Sequence, residues 1–130
     1  MADDEADDVT RLIETYHELF SAGDIEGVLD LWDDDGSVFE PGSPTARGKA
    51  QLRRAYERGY AGADYHFECK ITDMVIGGNI ASVVSRAAGS ITVKATGDNV
   101  PARARQVFTT RRVDGRWKLL HYMFQEDPSE

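Results

Sequence analysis

One cysteine, Cys69, stands in the whole chain, and that scarcity removes several kinds of chemistry at once. No intrachain disulfide is available, and a cysteine-built zinc site has too few ligands. Histidine is nearly as scarce: His17, His66 and His121 fall on separate segments, and no two have the spacing of a metal pair. The Gly-x-Ser-x-Gly elbow of a serine nucleophile is missing, and Gly77-Gly78 leads into a strand-like run, where a phosphate cradle needs a helix N-terminus. Asp33-Asp34-Asp35-Gly36 resembles part of a calcium loop, but Leu31 and Gly42 stand where that loop needs an oxygen ligand and a glutamate. Neither a metal nor a cofactor is expected.

Positive charge is also short. Fifteen Lys and Arg against 23 Asp and Glu leave a net charge of −8, which repels a nucleic acid backbone or an anionic membrane surface, so neither is an expected partner. The arginines gather as Arg53, Arg54 and Arg58, then as Arg103, Arg105, Arg111, Arg112 and Arg116, the pattern of a solvated or ion-paired surface; Arg105 alternatively meets an anionic ligand. No 18 apolar residues run together, and the opening Met1 to Asp8 is acidic where a secretory signal begins basic and then turns apolar. A cytoplasmic protein is the expectation.

What is present is globular. With 41% hydrophobic and 29% charged residues, a chain of 130 residues has the composition to bury one core. The expected organisation is a single domain over 9–126, with flexible termini at 1–8 and 127–130. Val9, Leu12, Ile13, Tyr16 and Phe20 keep the spacing of one helical face, which Gly23 ends. Asp24 caps a second short helix in which Ile25, Val28, Leu31 and Trp32 point one way. Ser37 to Glu40 reads as a short strand stopped by Pro41, and Gly48 to about Tyr60 as a third helix with Leu52, Ala55 and Tyr56 on its inner side.

After Gly62 the period becomes two. Tyr65, Phe67, Cys69 and Ile71 share one strand face, which makes Cys69 a core residue rather than a nucleophile. Turns at Gly77-Gly78-Asn79, Gly97-Asp98-Asn99 and Asp114-Gly115 separate strands near 65–76, 80–95, 102–112 and 116–125. Three helices followed by four or five antiparallel strands make an α+β layer. The far face of that sheet, reading Trp117, Leu119 and Met123 as outward, lacks a cover, and a homodimer through it is the simplest remedy.

One carboxylate stands out. Glu40 ends its strand between Phe39 and Pro41, with Trp32 upstream and Tyr16 and Tyr56 directed to the same core. A carboxylate stripped of water by aromatic neighbours gains proton affinity, and a tyrosine hydroxyl stabilises a developing enolate. The alternative is that Glu40 faces solvent or pairs with Arg47 while both tyrosines simply pack.

The stretch Ala22-Gly23-Asp24-Ile25-Glu26-Gly27-Val28-Leu29-Asp30-Leu31-Trp32 resembles the helix hairpin of bacterial ketosteroid isomerases, and Asp34-Asp35-Gly36-Ser37-Val38-Phe39-Glu40-Pro41 resembles the strand that follows it. Val107 to Leu120 is similar to the closing hairpin of SnoaL-like proteins, in the same nuclear transport factor 2-like superfamily. The resemblance implies a cystatin-like cone: three N-terminal helices on a curved mixed or antiparallel sheet around an internal pocket. It implies Tyr16 in the role of an oxyanion-hole tyrosine, Glu40 as the base in place of an aspartate, and Tyr56 in support. The family's protonated aspartate corresponds to Val107 or, one residue earlier, Gln106. The expected pocket is then lined by Trp32, Phe39, Tyr56, Gln106, Phe108, Leu120, Tyr122 and Phe124. The function expected is proton transfer alpha to a carbonyl, or water activation, on a small apolar or carbonyl-containing molecule. A non-catalytic ligand-binding or dimeric association module of the same fold is the alternative.

Overall fold

The apolar stripe Val9, Leu12, Ile13, Tyr16 becomes the buried face of helix α1 (Ala2–Ala22) in the computed structural model, which describes residues 2–128. The helix starts at Ala2, well before Val9, because acidic side chains in a first turn suit the positive end of the helix dipole. Most of the segment expected to be a flexible N-terminus is therefore helical, while Met1, Ser129 and Glu130 lie outside the described residues. Helix α2 (Ile25–Asp30) is capped by Asp24, whose carboxylate accepts the Gly27 amide at 2.9 Å. Trp32 does not continue it. The backbone carbonyl of Leu31 instead accepts from the Leu119 amide at 2.9 Å, and Trp32 opens strand β1 (Trp32–Phe39), five residues before the expected start at Ser37.

A short strand β2 (Ala46–Arg47) leads into α3 (Gly48–Gly62), whose buried residues are Leu52 and Tyr56. Four long strands then follow: β3 (Ala63–Gly77), β4 (Ile80–Val93), β5 (Asn99–Val113) and β6 (Arg116–Glu126). At the tight β5–β6 turn Asp114 and Gly115 both take positive φ, 51° and 78°, the twist that a two-residue hairpin favours. The six strands lie in the order β2-β1-β6-β5-β4-β3. Every pairing is antiparallel except β1 with β6, so the sheet is mixed, and it curves without closing. The architecture is the α+β, cystatin-like arrangement expected.

A bulge in β6 corrects the expected faces. Thr109 pairs with His121 and Thr110 with Leu119, leaving Leu120 as the extra residue. Before it Trp117 and Leu119 point inward and are buried, not outward; after it Tyr122 and Phe124 take the inner face. Met123, 53% exposed, stays on the outer face beside Phe39 and Val107. Strict alternation counted back from Met123 puts Trp117 and Leu119 on the wrong side, because one extra residue inverts every side chain beyond it.

Under α1 and α2 the inner face is filled by Ala81, Val83, Phe108, Trp117 and Leu119 against Val9, Leu12, Ile13, Val28 and Trp32. Farther along the same strands the inward residues become small: Ala87, Gly89, Ala102 and Ala104. Gly89 has no alternative, since an added Cβ would lie 1.7 Å from the backbone oxygen of His66. Among the described residues no helix is long and apolar enough to cross a membrane.

Candidate functional site

Small side chains on β4 and β5 leave a hollow of about 750 Å³ between the sheet, α1 and α3, within the size range of small-molecule sites. Its walls are aromatic. Phe20, Tyr60, Tyr65 and Phe67 stand on one side, with the Phe20 and Tyr65 rings 4.9 Å apart, and Phe124 stands on the other, 5.2 Å from Tyr122. Charged side chains belong to the mouth: Glu40, Arg58, Arg103 and Glu126 are exposed lining residues.

The base is polar and buried. Tyr56 accepts a hydrogen bond from the Trp32 indole at 3.1 Å and shares one with Tyr16 at 2.8 Å. Beside this pair, His17 reaches the Ile13 carbonyl through Nδ1 at 2.8 Å and lies within 3.0 Å of the Gln106 amide nitrogen. Gln106 also donates to Tyr122 at 2.6 Å and accepts from Ser85 at 2.8 Å. Burial raises the pKa of Tyr16, Tyr56 and Tyr122 well above the ordinary phenol range, and for Tyr16 the neighbouring Tyr56 and Tyr122 add to the shift. Burial lowers that of His17, only partly opposed by its bonds to Ile13 and Gln106. The base therefore offers neutral phenols and a neutral imidazole, hydrogen-bonding groups without net charge.

Of the expected site residues, Tyr16, Glu40, Tyr56, Gln106, Tyr122 and Phe124 line this one cavity. Four do not. Trp32 and Phe108 lie beneath it, the first holding Tyr56 and the second stacked flat on Tyr122 at 4.2 Å. Phe39 points to the outer face, 6.3 Å from the His121 ring, and Leu120 is the bulged residue of β6. Glu40 follows Val38 on the cavity side but is exposed, so the fold does not strip it of water as the sequence suggested.

His17, Phe20, Tyr60, Tyr65 and Phe67 are lining residues that sequence reasoning did not assign to the pocket. Their signal is partial: the periodicity puts Phe20, Tyr65 and Phe67 inward, but inwardness does not separate a filled core from a cavity wall. Cys69 packs half-buried against the core, where burial raises its thiol pKa. Half of the clustered arginines meet carboxylates: Arg53 with Glu26, Arg111 with Asp33 and Asp35, Arg112 with Glu5, and Arg116 with Asp30. Arg105 bonds Gln125. Asp33 is the buried member; desolvation raises its pKa, but the bonds from Arg111 and the Asp35 amide outweigh this, and the net shift is downward.

Residues 13–120 match the SnoaL-like domain. The chain belongs to the SnoaL-like family. Solved structures place this SnoaL-like domain among nuclear transport factor 2-like folds. A ketosteroid isomerase-like protein from Erwinia carotovora atroseptica is 27% identical with a TM-score of 0.89, over 94% of this chain and 95% of that one. A nuclear transport factor 2-like superfamily protein from Salmonella enterica serovar Typhimurium superposes with a TM-score of 0.87 at 14% identity, over 99% and 95%. A nuclear transport factor 2-like protein with a cystatin-like fold from Novosphingobium aromaticivorans gives 0.78 at 19% identity, over 98% and 84%. At these last two identities the likeness is one of fold.

Proposed function

We propose that this SnoaL-like domain binds a small, largely apolar molecule carrying a carbonyl or similar acceptor oxygen. The observation that carries the reading is the cavity of about 750 Å³, with aromatic walls and neutral phenols at its base. Apolar walls favour burial of a ring system, and a few convergent polar groups fix its orientation. Neutral phenols in a buried site donate to an uncharged oxygen without the cost of burying a charge. Mass spectrometry of small molecules carried through purification tests it. A recurrent aromatic or polycyclic compound is the expected result; a chain that stays empty when offered such compounds, with its cavity collapsed, overturns it.

A second reading adds a reaction. Glu40 lines the same cavity as Tyr16, which puts a carboxylate at the mouth and a hydrogen-bond donor at the base of one ligand site. Proton transfer alpha to a carbonyl uses that pair, with Glu40 as base and Tyr16 on the oxygen that gains charge. Closure of a ligand over the mouth would have to supply the desolvation that the free site lacks. Glu40→Gln keeps size and removes the proton acceptor, so it should leave binding unchanged and lower turnover roughly a hundredfold. Equal turnover in the variant removes Glu40 from the chemistry.

Association is proposed for the outer face of the sheet, where Phe39, Val107 and Met123 adjoin. A second copy covering this patch would remove it from water. Light scattering at micromolar concentration should give twice the chain mass; a monodisperse monomer overturns it.

A further inference from the structure

Taking the cavity as a ligand site, we propose that Tyr122 is the donor that anchors the ligand's acceptor oxygen, and that His17 and Gln106 position it. The hydrogens available to these side chains decide it. The Ile13 carbonyl carries none, so the 2.8 Å contact requires a hydrogen on Nδ1 of His17. In the neutral ring Nε2 is then a bare lone pair. Both amide atoms of Gln106 lie near it, nitrogen at 3.0 Å and oxygen at 3.2 Å, but only the nitrogen brings a hydrogen. The amide is thereby oriented, with its oxygen turned to the Ser85 hydroxyl at 2.8 Å. Rotating it would set oxygen against the imidazole lone pair and break that match.

The second amide hydrogen goes to the Tyr122 oxygen at 2.6 Å. Tyr122 is therefore an acceptor toward the protein. Its own hydroxyl hydrogen has no partner among the described residues, on a side chain that lines the cavity. Gln106, expected from the sequence to meet the ligand, has both amide hydrogens engaged. The Tyr16–Tyr56 pair is less committed, since either hydroxyl can donate within it. The flat stack of Tyr122 on Phe108 at 4.2 Å holds the phenol ring in place, so the free hydrogen has a fixed position from which to act. Ligands with an acceptor at that depth are favoured over isosteric hydrocarbons.

Two probes of like size test this: 2-acetylnaphthalene, which carries the oxygen, and 2-ethylnaphthalene, which lacks it. Calorimetric titration of the full chain should show Tyr122→Phe binding the hydrocarbon as the wild type does and the ketone roughly tenfold more weakly, the scale of one hydrogen bond. Gln106→Glu supplies no amide hydrogen, so Tyr122 turns to donate into the carboxylate. That variant should lose the same ketone preference while Tyr122 is still present; a merely structural role for Gln106 would weaken both probes alike. Nitrogen NMR of the free protein near neutral pH should show His17 as the Nδ1–H tautomer. The opposite tautomer, or a Tyr122→Phe variant that keeps its ketone preference, overturns the anchoring and leaves the cavity reading intact. Should neither naphthalene bind the wild type, the cavity reading itself falls and the anchoring with it.

Discussion

At one end of the sheet's inner face Val83, Phe108 and Leu119 are sealed beneath α1; at the other the same strands present Ala87, Ala104 and Phe124 to a cavity. β4 and β5 keep one alternation through both ends, and in β6 the bulge at Leu120 returns Phe124 to the face that Leu119 takes. What separates them is side-chain size: one end fills the space under the helices, and the other leaves it open and rings it with aromatics. Stability is thus concentrated where the face is packed, and ligand capacity where it is not.

The largest expected effect lies in the packed end. Trp32 is 1% exposed and holds Tyr56, so Trp32→Ala should cost about 3–5 kcal/mol, read as a lower urea midpoint at an unchanged slope. A midpoint that hardly moves would mean the two ends are not different in kind. The same substitution made at both ends sharpens the contrast. Ala81→Leu, at a fully buried site, should cost about 1–3 kcal/mol by overpacking. Ala104→Leu has open space to enter and should change stability by about 0.5 kcal/mol or less while blocking naphthalene binding. Equal costs for the two would argue that the cavity closes in solution.

A smaller effect comes with pH. His17 is held neutral by burial, while in the unfolded chain it takes a proton near its ordinary value of about 6.5. The unfolded state then binds more protons, so this contribution is complete above about 6.5 and is lost as pH falls toward the depressed folded value. The buried phenols act at the other limit: the unfolded chain ionises near 10, the folded one later, and stability falls as pH rises past about 10. Melts of wild type and His17→Gln across pH 4–7 should show a flatter acid limb in the variant; identical limbs would place the acid sensitivity elsewhere. Smallest of all, Glu26→Gln breaks an exposed pair with Arg53 and should leave the thermal midpoint where it was.

Much of this was legible in the chain. The α1 stripe, the Asp24 cap, the inner face of α3 and the three turns are local patterns, and local patterns survive folding. Tyr16, Tyr56, Gln106 and Tyr122, expected to face one pocket, line one cavity. Most of the failures share a cause, a partner far away in sequence. Trp32 is a strand residue because Leu31 finds Leu119, and Trp117 turns inward because of a bulge whose register only β5 sets. His17 gains its place from Gln106, which no spacing rule connects to it. Glu40 keeps its water because the strand ends at Phe39, at the mouth rather than within the wall.

The parallel pairing of β1 with β6 reaches further than architecture. It joins the first strand of this domain to its sixth, so the floor under Tyr56 and the wall bearing Tyr122 and Phe124 come together only once β6 is in place. Because β6 lies between β1 and β5, without it β5 has an unpaired edge and β1 lacks a neighbour on that side. Closing so long a loop is a slow, entropy-limited step. A ligand present during synthesis would therefore meet no complete site until β6 docks, and would then favour that docking by binding only the assembled cavity.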